Sequence, residues 1–275
     1  MKLQAKLYRA AVYAGAAFSV SVLVLIVGYI LVKGIPHLSP ELFAWEYNST
    51  NVSMMPSIIN TLLMTLLSLL VCVPLGIGAA IYLTEYAPRG SRLVKLVRMT
   101  AETLSGIPSI IYGLFGALFF VVALKMGLSL LSGALTLSIM VLPTIMRTTE
   151  EALLAVPDSY REGSFGLGAG RLRTTFKVVL PSAIPGILSG VILAIGRIVG
   201  ETAALIYTAG TVAKVPGSML DSTRTLAVHM YTISTEGLYI DQSYATAVVL
   251  LVMVLLINSL SALIARKVGR SPAGR

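Results

Sequence analysis

Arg161-Glu162-Gly163-Ser164-Phe165-Gly166-Leu167-Gly168, closed by Val178-Val179-Leu180-Pro181 and followed by an apolar run that carries Arg197 and Glu201, is the stretch on which the fold turns. Its first part is polar and glycine-bearing, as a docking segment in water would be. Its second part is long and apolar enough to enter a membrane, and it takes two charges with it. The chain around it is 56% hydrophobic and only 12% charged, with a mean hydropathy of +0.86. An average soluble domain carries roughly 25% charged residues. The composition therefore places the chain among membrane proteins, and its helix-length apolar runs predict an all-α, polytopic fold.

A net charge of +9 could suit a nucleic acid, but the basic residues lie in short clusters between long apolar runs. That is the pattern of a membrane topology signal, and no nucleic-acid partner is expected. The single Cys72 sits inside an apolar run, and His37 and His229 are far apart. Neither a disulfide framework nor a Cys/His metal site is supported, and no cofactor is expected.

A helix needs about 20 apolar residues to cross the hydrocarbon core. Six segments qualify: Ala10–Val32, Ser57–Thr84, Thr103–Leu124, Ser129–Met146, Pro181–Ala209 and Ser243–Ala265. The first follows Lys2, Lys6 and Arg9 as a secretory signal would, yet it is too long for one and no small-residue cleavage site stands clearly at its end. It reads as a retained helix. The fourth is short and contains Gly133 and Pro143; a break there would leave five spans.

Charge decides between five and six. With six spans, one side holds Lys2, Lys6 and Arg9, the Arg89/Arg92/Lys95/Arg98 cluster, the Arg147/Arg161/Arg171/Arg173/Lys177 cluster and the tail with Arg266, Lys267, Arg270 and Arg275. The other side holds only Lys33, Lys125, Lys214 and Arg224. A five-span chain would scatter these clusters over both faces. The positive-inside rule then puts both termini and the 150–180 loop in the cytoplasm. Residues 1–56 form a first helix with an external segment, residues 57–265 the main transmembrane unit with a cytoplasmic loop at 147–180, and residues 266–275 a basic tail. Outside, Phe43, Trp45 and Tyr47 suit an interfacial belt, and residues 210–242 form either a structured loop or a contact surface for an external partner.

The 147–180 loop is long for a connection between neighbouring helices, and such loops are often functional. Pro157 can start a helix because its missing N–H would be unpaired there, and Gly168 or Gly170 can end one. The spacing predicts a short helix over Pro157–Leu167, a turn, and a second helix over Leu172–Leu180 before Pro181. Such a braced helix can transmit a push. The bland reading is a solvated connection whose glycines only make turns.

Arg197 and Glu201 are four residues apart and share a helical face with Gly186, Gly190 and Ala194. Small residues let another helix approach, so this face is expected to point into protein or a cavity. Arg197 lies about 24 Å along the span from Pro181. A membrane-centred arginine costs roughly 2.5–3.5 kcal/mol on insertion scales. A static pair with Glu201 could offset that, or Arg197 could face a pathway and offer its planar fork to an oxyanion while Glu201 holds it between events. Glu102, Arg147 and Glu150 stand near cytoplasmic helix ends and read as inner ion pairs, gate contacts or solvated interfacial charges. Pro74 and Pro108 are expected to kink the second and third spans. There is no Gly-x-x-x-x-Gly-Lys-Ser/Thr stretch and no defensible catalytic constellation, so the chain is not expected to be an enzyme.

Glu162-Gly163-Ser164, Gly168 and Val178-Val179-Leu180-Pro181 together resemble the EAA motif of bacterial ABC-importer permeases, with Gly163 and Ser164 in place of two alanines and Val178 in place of isoleucine. Gly163 weakens a helix by about 0.5–1 kcal/mol relative to alanine. The stretches Pro74–Tyr86, Gly106–Gly116, Arg147–Glu150 and Gly200–Ala203 extend the likeness, over essentially Ser57 to Ala265, to the PstA family, phosphate-specific permeases among the MetI-like type I ABC importers. The resemblance implies a six-helix permease fold and an ATPase docking site at Glu162, Gly163, Ser164, Gly168, Leu180 and Pro181. It also implies a role in the substrate pathway for Arg197, which Glu201 would hold; the reading of Arg147, Glu150 and Glu102 as an inner gate rests on their positions alone. The partners it implies are a PstC-like second permease, a PstB-like ATPase dimer and a PstS-like phosphate-binding protein. A permease for molybdate or sulfate is the nearest alternative. A stand-alone secondary transporter would be expected to show internal repeats and more mid-membrane ionisable residues.

Overall fold

The computed structural model describes residues 2–88 and 90–269, which form helices and no strand. Arg89, Arg270 and Arg275, counted among the basic clusters, lie outside the described residues, as does most of the expected tail. Five helices are long and apolar enough to cross a membrane: α1 (Lys2–Gly34), α2 (Met55–Tyr86), α5 (Leu130–Leu154), α7 (Arg171–Val199) and α10 (Ile240–Gly269). A bent pair, α3 (Arg92–Ser105) and α4 (Ser109–Ala123), makes a sixth crossing if its limbs are counted together. Three shorter helices complete the chain: α6 (Asp158–Gly166), α8 (Ala203–Thr208) and α9 (Leu226–Thr235).

The third expected span, Thr103–Leu124, is not one helix. Its two limbs meet at 103°. Pro108 has an extended backbone (φ −57°, ψ 140°); it lacks an N–H and pushes the preceding residue out of the helical region, so α3 ends at Ser105. α3 turns Val94 inward and leaves Leu93, Leu96 and Met99 exposed beside its basic residues. An exposed apolar face beside basic residues, at a sharp angle to α4, is the pattern of an interfacial helix.

The fifth expected span, Pro181–Ala209, is also broken. α7 stops at Val199, and α8 begins at Ala203. The Glu201 carboxylate accepts a hydrogen bond from the Ala204 N–H (3.1 Å), which caps the new helix and favours a restart over continuation. At the other end the expected second cytoplasmic helix, Leu172–Leu180, is not separate: α7 runs from Arg171 through Pro181 and Pro185 without a stop. A wider π-helical stretch at Thr175–Val179 stands immediately ahead of Pro181, where a missing N–H disrupts the ordinary ladder. The return limb of the loop is therefore the end of a membrane helix, about 43 Å long at 1.5 Å per residue.

α5 is the centre of the bundle: 67% of its apolar window is buried, against 0% for α1. Its small hydroxyl residues explain this. Thr136 and Ser138 return hydrogen bonds to the carbonyls of Ser132 and Ala134 (both 2.7 Å), while Ser138 also donates to Ser68 O on α2 (3.1 Å) and Ser68 to Ala134 O (3.3 Å). Polar groups are satisfied, and backbones approach closely. On α7, a Cβ at Gly186 would strike Ala152, and one at Gly190 would overlap Thr148, both on α5. Ala194 and Ile198 continue that buried stripe. Gly190→Leu is expected to force α5 and α7 apart, with an overpacking penalty of about 1–3 kcal/mol or more, read as a lower melting temperature of the detergent-extracted protein. α1 stands at the edge, held to α10 where Gly34 meets Tyr244 and Val248 and where Tyr29 meets Tyr244 edge-on at 5.8 Å. Its remaining apolar surface is exposed, as suits lipid contact.

Candidate functional site

The two halves of the deciding stretch occupy two places. At one end of the bundle, α6 follows Pro157, which is extended (φ −55°, ψ 138°), and Asp158 occupies its first turn, where negative charge suits the helix dipole. Gly168, at φ +80°, makes the left-handed turn that leads toward α7. One face of α6 is open. Glu162 and Gly163 are exposed, and so are Tyr160, Phe165 and Leu167, the last at 91%. Ser164 faces inward and shares a 2.8 Å hydrogen bond with Thr174. Leu180 is half-buried against the core formed by Ala80, Leu153 and Val179, and Pro181 lies beside it in α7. These two are placed in the membrane helix, apart from the open face of α6.

The inner face of α6 is held by a residue that the charge count treated only as a topology signal. Arg161, 16% exposed at its side chain, places Nη2 2.7 Å from Glu85 Oε1, with Nε 3.3 Å and 3.4 Å from the two carboxylate oxygens. It also donates to the carbonyls of Leu153 and Val156 (both 2.9 Å) and to Asp158 Oδ1 (3.2 Å). One guanidinium thus ties α6 to the end of α2 and caps the end of α5. Glu85 is 8% exposed. The available signal was Glu85 itself, a lone acid closing a long apolar run, whose need for a buried cation could have been noted.

The neighbouring charges link α3 to α5. Glu150, 10% exposed at its side chain, is ion-paired with Arg98, which the sequence reading had not singled out. Arg147 pairs with Glu151 at 3.1 Å and reaches Glu102 at 3.9 Å, all three well exposed. Arg147 and Glu102 meet, Glu150 is held by Arg98, and these residues line one recess together with Glu151 and Leu154.

In the membrane, Arg197 lines a recess of about 600 Å³ with Thr144, Ser189, Ile192, Leu193, Gly196 and Asn258. The recess is mostly apolar, with a few polar groups converging beside one cation. The expected pair with Glu201 is absent: among the described residues no carboxylate lies within ion-pair distance of Arg197. The helix break at Gly200 is the reason, since it removes the helical register that would set the two side chains together. Glu201 is buried and spent on the α8 cap. Arg197 sits at the edge of the small-residue stripe, beside the packed face and open to the recess.

Comparison with known proteins agrees with this architecture. The family described as "Binding-protein-dependent transport system inner membrane component" matches residues 72–271. The probable ABC transporter permease protein YqgI of Bacillus subtilis is 33% identical over 261 residues, covering 88% of each chain. Phosphate transport system permease protein PstA 2 of Mycobacterium bovis is 38% identical over 212 residues, covering 76% of this chain and 70% of that one. Among solved structures, a bacterial alginate ABC transporter in complex with a pentasaccharide-bound periplasmic protein aligns over 98% of this chain and 99% of its own with a TM-score of 0.68 at 16% identity, a likeness of fold. With five or six apolar crossings, a matching family over most of its length and relatives above 30% identity, this chain is a multi-pass membrane protein belonging to the family of ABC-importer inner membrane permeases.

Proposed function

We propose that this chain is the permease subunit of an ATP-driven phosphate importer in a bacterial plasma membrane, with both termini and α6 on the cytoplasmic side. The observation that carries the reading is Arg197, a cation without a carboxylate partner in a half-enclosed recess, whose planar donor fork suits a phosphate oxyanion. The similarity to relatives named as phosphate permeases supports the choice of anion. The recess opens at the surface of the single chain, as half of a pathway completed by a second, PstC-like permease would. A PstS-like binding protein delivers phosphate from outside. A PstB-like ATPase dimer supplies the energy, since the chain has no phosphate-cradling loop of its own.

Coupling runs through α6. Its open face, with Glu162, Gly163, Tyr160, Phe165 and Leu167, receives the ATPase, and Arg161 passes the movement to α2 and α5 while the continuous α7 carries it to Arg197. Alternating access is thus delivered mechanically along helices with no loose joint. Glu162→Arg is expected to abolish co-purification of the ATPase while membrane insertion stays normal; a complex of normal composition would count against the docking role. The anion is tested by uptake of labelled phosphate, molybdate and sulfate in a strain lacking this chain and complemented with it. Restored phosphate uptake supports the reading, restored molybdate or sulfate uptake alone replaces it, and ATP-independent uptake by the purified chain would favour a stand-alone carrier.

A further inference from the structure

The end of α2 opposite Glu85 also holds a cation, and this one is buried. Arg224, 4% exposed, is the one buried arginine among the described residues and stands just ahead of α9. Its guanidinium carbon lies 4.6 Å from the centre of the Tyr47 ring, and Tyr47 meets His229 edge-on at 6.1 Å. The surrounding backbone is well fixed: Asn60 Nδ2 donates to the carbonyls of Lys214 (2.8 Å) and Arg224 (3.2 Å), and the Leu226 N–H donates to Thr61 Oγ1 (2.8 Å).

The charge itself is not compensated. Among the described residues no carboxylate forms an ion pair with Arg224: burial disfavours its charge, and what favours it is the Tyr47 side chain and, less, Glu236, which is exposed at the far end of α9. Nε and Nη2 of Arg224 are both buried and without an acceptor. These two nitrogens form one edge of the guanidinium, the two-donor fork that grips an anion. The hydroxyls of Thr225 and of Ser57, one turn before Thr61 on α2, are buried without partners too. His229 does not add a competing charge, because burial and the nearby Arg224 pull it down to about 3 and keep it neutral. A cation–π contact offsets only a fraction of what an unpaired buried ion costs. Water could satisfy the N–H groups but would leave the charge.

We infer that the Nε/Nη2 edge of Arg224, backed by Tyr47 and His229 and with the hydroxyls of Thr225 and Ser57 as further donors, is the seat of a small inorganic anion that locks residues 210–225 against the outer end of α2. This site is distinct from the Arg197 recess and does not depend on what the chain transports. Chloride and phosphate share the chemistry and are separated by experiment.

The test is thermal unfolding of the membrane-extracted complex containing this chain, at constant ionic strength, with gluconate replaced stepwise by chloride, bromide or phosphate. A saturable rise of several degrees with one of these anions is expected, and Arg224→Met, which keeps the volume and removes the charge, should lose that rise. If the variant does not accumulate, bromide carries the test: anomalous or difference density beside Arg224 in the unaltered protein is expected. Unfolding that is the same in gluconate and in every anion, a rise that persists undiminished in Arg224→Met, or ordered water alone beside Arg224 in bromide would overturn the proposal. A response to chloride and bromide identifies a halide as the occupant, and a response to phosphate alone identifies the oxyanion.

Discussion

Phosphate uptake is expected to fall by about 100-fold or more when Arg197 is replaced by Gln, while the complex still assembles. Two charge-assisted hydrogen bonds to an oxyanion, at roughly 1.5–3 kcal/mol each, account for a loss of that order. Assembly survives because Arg197 is no one's structural partner. Glu201 makes its hydrogen bond to the Ala204 N–H, so removing the arginine strands no buried carboxylate. The same geometry separates the two residues experimentally. Glu201→Gln keeps an oxygen that can accept from Ala204 and should retain substantial uptake, whereas Glu201→Ala removes the cap and lowers stability by about 1 kcal/mol. Labelled-phosphate uptake measured beside the yield of intact complex checks both. Full uptake in Arg197→Gln would leave the arginine with no role in the pathway, and equal loss in Glu201→Gln and Arg197→Gln would restore a working pair between them.

Much of this arrangement is legible from residue types. Apolar run lengths give the crossings, because hydropathy responds to a property summed over about twenty residues. Pro157 and Gly168 bound α6 correctly because each acts through its own backbone: one lacks an N–H, the other takes φ +80°. The small residues of α7 announce a close neighbour, and Thr148 and Ala152 of α5 are that neighbour. Hydropathy is blind to the rest. Pro108 announces a bend in the third span but not its 103° size, and the break at 200–202 depends on the Glu201 cap, which an average over the run conceals. Glu85 and Arg161 are separated by 76 positions, and nothing local to either names the other. The expected Arg197–Glu201 pair fails for the same reason in reverse, since spacing implies a shared face only while the helix continues.

Arg161→Ala should be the most damaging single change outside the membrane recess. It leaves Glu85 buried without its cation and the Val156 carbonyl without its side-chain donor, while Leu153 O keeps only the Val156 N–H. Breaking one side of a buried pair costs about 3–5 kcal/mol, enough to deplete the folded protein in the membrane. Loss of yield alone would show only that the pair is structural. The informative variant replaces both, Arg161→Met with Glu85→Met, because a buried ion pair exchanged for packed apolar groups is often neutral in stability. Yield and melting temperature are then expected to recover, yet ATP hydrolysis in the reconstituted importer should no longer rise when loaded binding protein and phosphate are added. Arg161→Lys separates charge from geometry, since a single ammonium cannot reach Glu85, two carbonyls and Asp158 at once. It should keep most of the stability and lose part of the stimulation. If the double variant recovers both stability and stimulated hydrolysis, movement of α6 reaches α2 and α5 by packing through Leu153, Val156 and Val179, and the guanidinium serves only to hold the fold.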